Sequence, residues 1–378
     1  MADTTNGQIP KKDSAPHVAL FLPYLASGGA ERVMLHIARG LAEEGLRVDL
    51  VMAAAKGPYL RQVSPNVRVV DLGARRVITS LPALVGYLRA ERPAALLSAL
   101  AHANLIALWA NILSGTKTRV VVTVHSTLSL STRFSPRKRD RLVPLLTHWS
   151  YKWASKVVAV SKGSAQDLIK IADLKPDLVE VIPNPVITTE LLEKGRMPVD
   201  HAWFGDRSMP LLVTVGRLTA AKNYGLLLDA FCQARKQRPM RLVFLGDGEE
   251  RTALESKVVA LGLSDEVSMP GYVENPWAYM AKADMFVLSS KWEGLPTVLV
   301  EALALGTKVV STDCDYGPRE LLKDGRLGWL CPSGDASALA ETILSALSQD
   351  KKNVPIEELE AFKLSVAVHR YKELLLEL

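Results

Sequence analysis

Along nearly the whole chain, short apolar runs alternate with segments whose apolar residues recur at helical spacing. A strand that is a continuous apolar run is buried on both faces, and the helices inserted between such strands supply the cover. The pattern therefore predicts α/β architecture built on doubly wound parallel sheets. In the first half the expected strands are Val18–Leu22, Val48–Ala53, Val67–Leu72, Ala94–Leu100, Val120–His125 and Lys156–Val160. Between the first two, Ala30–Glu44 places Val33, Ile37 and Leu41 on one helical face, with Arg32, Arg39 and Glu43 on others.

The rhythm stops at Ile182-Pro183-Asn184-Pro185, and a polar stretch follows through Lys194-Gly195-Arg196-Met197-Pro198 and Asp206-Arg207. A second series then starts, with strands expected at Leu211–Val215, Arg241–Leu245, Val267–Met269, Asp284–Leu288 and Lys308–Ser311. A chain of 378 residues is long enough for two cores. The expected division is a flexible tail 1–16, a Rossmann-like domain 17–190, a linker 191–209, a second Rossmann-like domain 210–355 and a closing segment 356–378. Val366, Tyr371, Leu374, Leu375 and Leu378 give the closing helix an apolar stripe, and the helix is expected to cross back onto the first domain. Two such domains leave a cleft, and ligands in these folds sit beyond the carboxyl ends of the strands.

The net charge of +6 suits an anionic small molecule or an anionic membrane face, and few aromatics interleave with the cations, which argues against nucleic acid. Cys232, Cys314 and Cys331 make no paired framework, which implies a reducing, cytoplasmic setting. The first sixteen residues lack the apolar core of a signal peptide. Ala94 to Leu113 is apolar over nearly a bilayer's width, but His102, Asn104 and Asn111 divide it into the strand and a helix His102–Leu113.

The densest chemistry lies in Trp292-Glu293-Gly294-Leu295-Pro296-Thr297-Val298-Leu299-Val300-Glu301. Pro296 suits the first turn of a helix, which puts Glu293 in the preceding loop and Glu301 on the helix. Free N–H groups and the positive end of the helix dipole would then face a diphosphate. An ionised carboxylate only accepts hydrogen bonds, so one glutamate can take hydroxyls of a sugar and the other those of a ribose. Gly216-Arg217-Leu218-Thr219-Ala220-Ala221-Lys222 sets two cations at another strand end, where Arg217 can pair bidentately with phosphate and Lys222 adds a point charge.

Further candidates stand at other strand ends. Gly28 and Gly29 let backbone approach a phosphate or sugar before a helix, although Gly-x-Gly-x-x-Gly is absent. His125, beside Ser126 and Thr127, can hydrogen-bond a sugar hydroxyl. Gly246-Asp247-Gly248 reads as a tight turn in which Asp247 caps the next helix. Asp313-Cys314-Asp315 formally matches an acid-x-acid metal clamp, but the two cations already compensate a diphosphate without a metal. Gly317-Pro318-Arg319-Glu320 starts a helix near the proposed cleft. The run Arg133, Arg137, Lys138, Arg139 and Arg141 reads as a solvated face or a contact for anionic lipid headgroups.

Together the Gly28-Gly29 loop, His125, Arg217 with Lys222, and Glu293 with Glu301 resemble the retaining glycosyltransferases of family four, which have the GT-B fold. The resemblance runs from Val18 to the closing helix, and the spacing of the glutamate pair is its most specific element. It implies that the first domain takes the acceptor and the second the nucleotide sugar. It further implies Glu293 on the donor-sugar hydroxyls, Glu301 on the ribose and Arg217 with Lys222 on the diphosphate. Gly294 and Leu295 then lie in the donor turn, His125 near the sugar, and Gly28 and Gly29 against diphosphate and acceptor. His125, Glu293, Arg217 and Lys222 form the implied catalytic set, with no metal and no cofactor.

Ser311-Thr312-Asp313-Cys314 through Glu320 looks like the branch that builds bacterial polysaccharide and lipid-linked oligosaccharide, while Trp292 departs from the tyrosine common in the family. The implied reaction moves a hexose or N-acetylhexosamine from a nucleotide diphosphate sugar, a uridine one on family grounds, to a glycan or polyprenyl-linked acceptor. It proceeds with retention by same-face attack, with domain closure excluding water. The apolar and basic first half, with no convincing span, points to peripheral attachment at the inner membrane face. The alternatives are a sugar-nucleotide epimerase, a glycan phosphorylase, for which no pyridoxal lysine is evident, and an inactive sugar-nucleotide-binding protein.

Overall fold

A computed structural model of the chain describes residues 15–26, 28–129, 142–206 and 208–377. The basic run from Arg133 to Arg141, Leu378 and all but two residues of the expected tail lie outside these. Seven strands form one sheet in the order β3-β2-β1-β4-β5-β6-β7: β1 (His17–Leu22), β2 (Arg47–Met52), β3 (Val67–Asp71), β4 (Ala95–Ala99), β5 (Arg119–Val124), β6 (Lys156–Ala159) and β7 (Val179–Val181). Six form another in the order β10-β9-β8-β11-β12-β13: β8 (Leu211–Val215), β9 (Arg241–Leu245), β10 (Val267–Gly271), β11 (Met285–Leu288), β12 (Lys308–Asp313) and β13 (Trp329–Pro332). Pairing is parallel, with Val18 opposite Val48 and Ala95 in the first sheet and Leu212 opposite Leu242 and Met285 in the second.

The expected strands are all present, to within a residue or two at their ends, together with β7 and β13, which the apolar pattern did not announce. Ala94–Leu113 divides as expected, into β4 and the helix Ala101–Ser114. Among the described residues no helix is long and apolar enough to cross a membrane.

By contact density the chain forms two compact units: Met1–Thr123 with Ser150–Lys156 and Val368–Leu378, and Val124–Trp149 with Val157–Ala367. In the first, the helix Gly29–Glu43 buries Val33, Met34, Ile37 and Leu41. The closing helix, Leu364–Leu376, contributes its last turns here, packing so closely that a Cβ on Gly40 would lie 2.3 Å from Cγ2 of Val368. Lys372 pairs with Glu44 at 2.9 Å, and Arg119 Nε donates to the Leu374 carbonyl at 2.8 Å. The buried stripe of that helix is Ala367, Val368, Tyr371 and Leu375, while Val366 and Leu374 are only half-buried.

The wholly buried Asp49 of β2 accepts from Arg68 Nε at 2.8 Å and Tyr87 Oη at 2.6 Å, and pairs with His17 Nε2 at 2.9 Å. Burial works against its charge, but these partners win and hold the carboxyl well below the usual carboxylate range.

In the second unit, alternate residues of the central strands serve opposite faces of the six-stranded sheet. Leu212, Leu242, Phe244, Met285 and Val287 join one apolar cluster, and Leu211, Val213, Val243, Phe286 and Leu288 join another. Helices cover both faces, as continuous apolar strands require.

Candidate active site

In the six-stranded sheet β8 and β11 are neighbours, and the chain winds outward from them in opposite directions. A crevice opens at such a reversal, beyond the carboxyl ends of the two strands. The loops leaving these ends are Gly216–Asn223, after β8, and Ser289–Pro296, after β11. They are joined by one backbone and one side-chain hydrogen bond: the Lys291 amide donates to the Ala221 carbonyl at 2.8 Å, and Ser289 Oγ donates to the Lys222 carbonyl at 2.8 Å. Beneath the first loop, Gly246 is required by close approach, since a Cβ there would lie 2.0 Å from the Gly216 carbonyl oxygen.

Lys222 Nζ donates to Oε1 of Glu293 at 2.6 Å, and Ser290 Oγ donates to the same oxygen at 2.6 Å. The two side chains are 20% and 12% exposed, so the pair is shielded but opens to solvent at one edge. Burial disfavours the Lys222 charge, but the Glu293 carboxylate, with smaller contributions from Tyr224 and Cys314, outweighs it and raises its pKa. Oε2 of Glu293 has no partner among the described residues, which leaves it acceptor capacity for a ligand hydroxyl. Arg217 is exposed and has no side-chain hydrogen bond or ion pair among the described residues. The site thus offers one shielded ion pair and one unneutralised guanidinium.

The helix after the second loop is Thr297–Ala304, and Pro296 is its N-cap rather than part of its first turn. Proline has no side-chain acceptor to cap with, and the amides of Thr297 and Val298 have no partner among the described residues. The N-terminus is therefore open to an anion, as the sequence suggested, one residue later than expected. Glu301 lies one turn into this helix and is half-buried. Leu295 is half-buried against the second apolar cluster. Gly294 lies flush on another segment of the same unit, where a Cβ would come within 3.0 Å of both the His125 carbonyl oxygen and Cα of Ser126.

His125, just past β5, is therefore brought to the Glu293-Gly294 turn. Its Nδ1 lies 3.0 Å from Oδ1 of Asn184. That oxygen only accepts, so Nδ1 carries the proton and Nε2 is the acceptor. Burial lowers the imidazole pKa to about 4, the Asn184 bond pulling weakly the other way, so the ring is neutral at pH 7. Asn184 itself is buried, held between Pro183 and Pro185 in the segment that read only as a break in rhythm.

Gly28 and Gly29 belong to the other unit. Gly28 is the N-cap of the helix Gly29–Glu43, and the buried Glu31 carboxylate occupies the space where a Cβ of Gly28 would stand, 2.2 Å from Oε2.

Asp247 does not cap a helix: the helix Arg251–Ala260 has Glu250 at its N-cap, and Asp247 accepts from the adjacent Gly248 amide at 2.8 Å. Asp313 receives Arg319 Nε at 3.0 Å, so its carboxylate is occupied by a guanidinium. Among the described residues the grouping of three metal-capable side chains is His17, Asp49 and Glu91, in the other unit, where Arg68 lies on both carboxylates. Gly317 precedes a single helical turn, Pro318–Leu321, whose Glu320 accepts from the Lys162 and Gly163 amides at 3.2 and 3.4 Å. A cavity of about 510 Å³ lies beside it, lined by Lys162, Gln166, Asp313, Tyr316 and Arg319 among others. Cys232, Cys314 and Cys331 are unpaired, and burial pushes the thiols of Cys314 and Cys331 up to about 12.

Comparison with known proteins meets this geometry from both halves of the chain. Residues 27–190 match the sequence pattern of Glycosyltransferase Family 4, and residues 204–359 that of Glycosyl transferases group 1. A Campylobacter jejuni protein named as the N-acetylgalactosamine-N,N'-diacetylbacillosaminyl-diphospho-undecaprenol 4-alpha-N-acetylgalactosaminyltransferase is 31% identical over 281 residues, covering 72% of this chain and 73% of its own. The chain belongs to glycosyltransferase family 4. A second relative, the lipopolysaccharide core biosynthesis glycosyltransferase LpsE of Rhizobium meliloti, is 26% identical over 338 residues, covering 88% of this chain and 89% of its own. Among solved structures, Anabaena HepE in complex with UDP and glucose superposes with a TM-score of 0.76 at 22% identity, over 96% of this chain and 100% of that one. The fold of this family 4 member is GT-B, two parallel-sheet Rossmann-like domains.

Sequence reasoning named Arg217, Lys222, Glu293, Gly294, Leu295, Glu301 and His125, and the structure brings His125, Lys222, Glu293 and Gly294 into one contact network in a single unit. It missed Ser290 and Asn184, which fix Glu293 and His125. Ser290 carried a signal, since it stands three residues before Glu293 at the end of an apolar run.

Proposed function

We propose that this family 4 glycosyltransferase is retaining and moves a hexose or N-acetylhexosamine from a uridine diphosphate sugar to a glycan or polyprenyl-linked acceptor, in cell-surface polysaccharide synthesis. The observation that carries the reading is the Lys222–Glu293 pair set across the β8/β11 reversal, with an unpaired Arg217 beside it and unpaired helix amides following. A donor diphosphate meets Arg217, Lys222 and the amides of Thr297 and Val298. Its sugar hydroxyls donate to Oε2 of Glu293, and its ribose to Glu301.

As the sugar–phosphate bond breaks, negative charge builds on the leaving diphosphate, and fixed cations and amides stabilise that charge more than the ground state. Removing one such donor typically costs about 10²–10³ in turnover. A neutral His125, with Nε2 as acceptor, takes a sugar hydroxyl without adding a charge that would oppose the developing positive sugar. At Gly28 and Gly29, the Glu31 carboxylate disfavours phosphate and favours hydroxyls, so that loop is assigned to the acceptor.

The acceptor class is supported by the Campylobacter jejuni relative, named for a diphospho-undecaprenol substrate, and the nucleotide by the UDP in the HepE complex. A linear division at residues 190 and 210 is favoured by the two family patterns, one ending at 190 and the other beginning at 204 within the expected linker, whereas contact density divides the chain near residues 123 and 157. The deciding experiment screens UDP-, GDP- and dTDP-sugars for thermal stabilisation, then for transfer to membrane lipid extract, with and without chelator. Stabilisation by UDP-sugars and chelator-insensitive transfer are expected. A strict manganese or magnesium requirement would instead assign a role to Asp313 and Asp315.

A further inference from the structure

The turn that carries Glu293 is held by three buried hydroxyls from outside its own loop. Thr127 Oγ1 donates to the Glu293 carbonyl at 2.9 Å, Ser161 Oγ to the Gly294 carbonyl at 3.0 Å, and Ser164 Oγ to that same oxygen at 3.4 Å. Thr127, Ser161 and Ser164 are each no more than 3% exposed. Nothing in the regular structure demands these bonds, because the carbonyls belong to a loop and the hydroxyls are 130 to 166 residues away in the chain.

Ser161 also serves as N-cap of the helix Lys162–Ala172, its Oγ accepting from the Ser164 amide at 3.1 Å. Its single proton is therefore spare for Gly294, or it passes to Ser164 Oγ, 2.9 Å away, which then donates its own. Either way the Gly294 oxygen receives one. The same turn is pressed from below, where a Cβ on Gly294 has no room against His125 and Ser126, and from the side, where a Cβ on Gly317 would lie 2.6 Å from Cδ of Pro296.

We infer that Thr127 and Ser161 are positioning residues: through the carbonyls of Glu293 and Gly294 they fix where the Glu293 carboxylate stands, and so set the enzyme's grip on the donor sugar rather than on its nucleotide. The inference rests on the assignment of Glu293 to the sugar. A carboxylate anchored on one oxygen by Lys222 and Ser290 still pivots with its backbone, and hydrogen bonding to a ligand weakens steeply as its angle and distance drift. The hydroxyls remove that pivot. Loss of them leaves Arg217, Lys222, Glu301 and the helix amides, the nucleotide-binding parts, in place.

The test compares calorimetric binding of UDP with that of the tightest of UDP-glucose, UDP-N-acetylglucosamine and UDP-N-acetylgalactosamine. Amide exchange of residues 291–297 is followed in the ligand-free protein. Thr127→Val keeps the shape and removes only the hydroxyl; Ser161→Ala also removes a helix cap, so Ser161→Thr is its rescue. The expected result is roughly tenfold weaker UDP-sugar binding with UDP binding within twofold, faster exchange confined to 291–297, and recovery in Ser161→Thr and Thr127→Ser. Equal loss of both ligands, or exchange at the wild-type rate, overturns the positioning role. Glu293→Ala separates the two claims. If it binds the UDP-sugar as the wild type does, the sugar assignment falls and this inference with it; if it loses the sugar while Thr127→Val does not, only the positioning role falls.

Discussion

At the scale of single residues, the site is organised around one ion pair whose members cannot be removed without consequence for each other. Lys222 and Glu293 are shielded but not sealed, so deleting one leaves the other partly desolvated and uncompensated. Between the limits for exposed and buried pairs, that costs on the order of 1–3 kcal/mol. Glu293→Ala and Lys222→Ala are therefore expected to lower transfer by about 10²-fold or more and to lower the melting temperature modestly. Glu293→Gln, which keeps an acceptor for Ser290, should retain more stability than activity. Sugar transfer and thermal unfolding measured on the same samples decide this, and near-normal turnover in either alanine variant removes both residues from the site.

His125 supplies a second residue-scale expectation. Its pKa is about 4 in the fold against 6.5 when unperturbed, so between these values the unfolded chain binds a proton that the folded one refuses. Stability is thus full above about pH 6.5, falls as pH drops toward 4 and levels off below, by on the order of 3 kcal/mol from this group. Urea unfolding of wild type and His125→Asn across that window checks it; parallel curves would show the ring is not the source.

At the scale of elements, the helix Gly29–Glu43 and the closing helix Leu364–Leu376 meet at a point where only hydrogen fits. A methyl group at residue 40 would enter Val368 at 2.3 Å. Although alanine has the better helix propensity, Gly40→Ala is expected to destabilise the protein by about 1–3 kcal/mol through overpacking. Val368→Ala should restore part of that loss in the double variant. Equilibrium unfolding of the four proteins gives the coupling energy, and a value near zero would mean the helices do not meet as described.

What could be read in advance also divides at this scale. Strands buried on both faces announce themselves as unbroken apolar runs, and β1, β8 and β9 were placed almost to the residue. β7 and β13 were not, because neither offers an unbroken apolar run: Val179-Glu180-Val181 is three residues with a glutamate at the centre and half-buried throughout, and the four-residue β13 ends on Pro332. Arg217, Lys222, Glu293 and Glu301 were legible because each follows a readable strand at family spacing. Thr127, Ser161, Ser164 and Asn184 were not. A hydroxyl or amide that acts through one long-range bond leaves no periodicity, charge run or spacing behind it.

At the scale of the whole molecule, the helix Val143–Ser150 bears on the proposed setting of the reaction. Leu142, Leu145 and Trp149 recur at helical spacing and are 58%, 57% and 65% exposed. Apolar side chains with an indole among them suit the interface of a bilayer, and the basic run of Arg133 to Arg141 precedes them in the chain. We expect co-sedimentation with vesicles containing anionic phospholipid, weakened several-fold in Leu145→Ser/Trp149→Ser and by raised salt, with transfer to a water-soluble acceptor unchanged. Binding equal to neutral vesicles, or unaffected by the double substitution, would count against membrane attachment.

The closing helix makes the first unit discontinuous in the chain. Val368–Leu378 group with the strands β1 to β4, although every strand of the six-stranded sheet lies between them in sequence. A cut anywhere between Pro332 and Leu364 would leave all thirteen described strands on one fragment and yet take the buried Tyr371 and Leu375 out of the first unit's covalent frame.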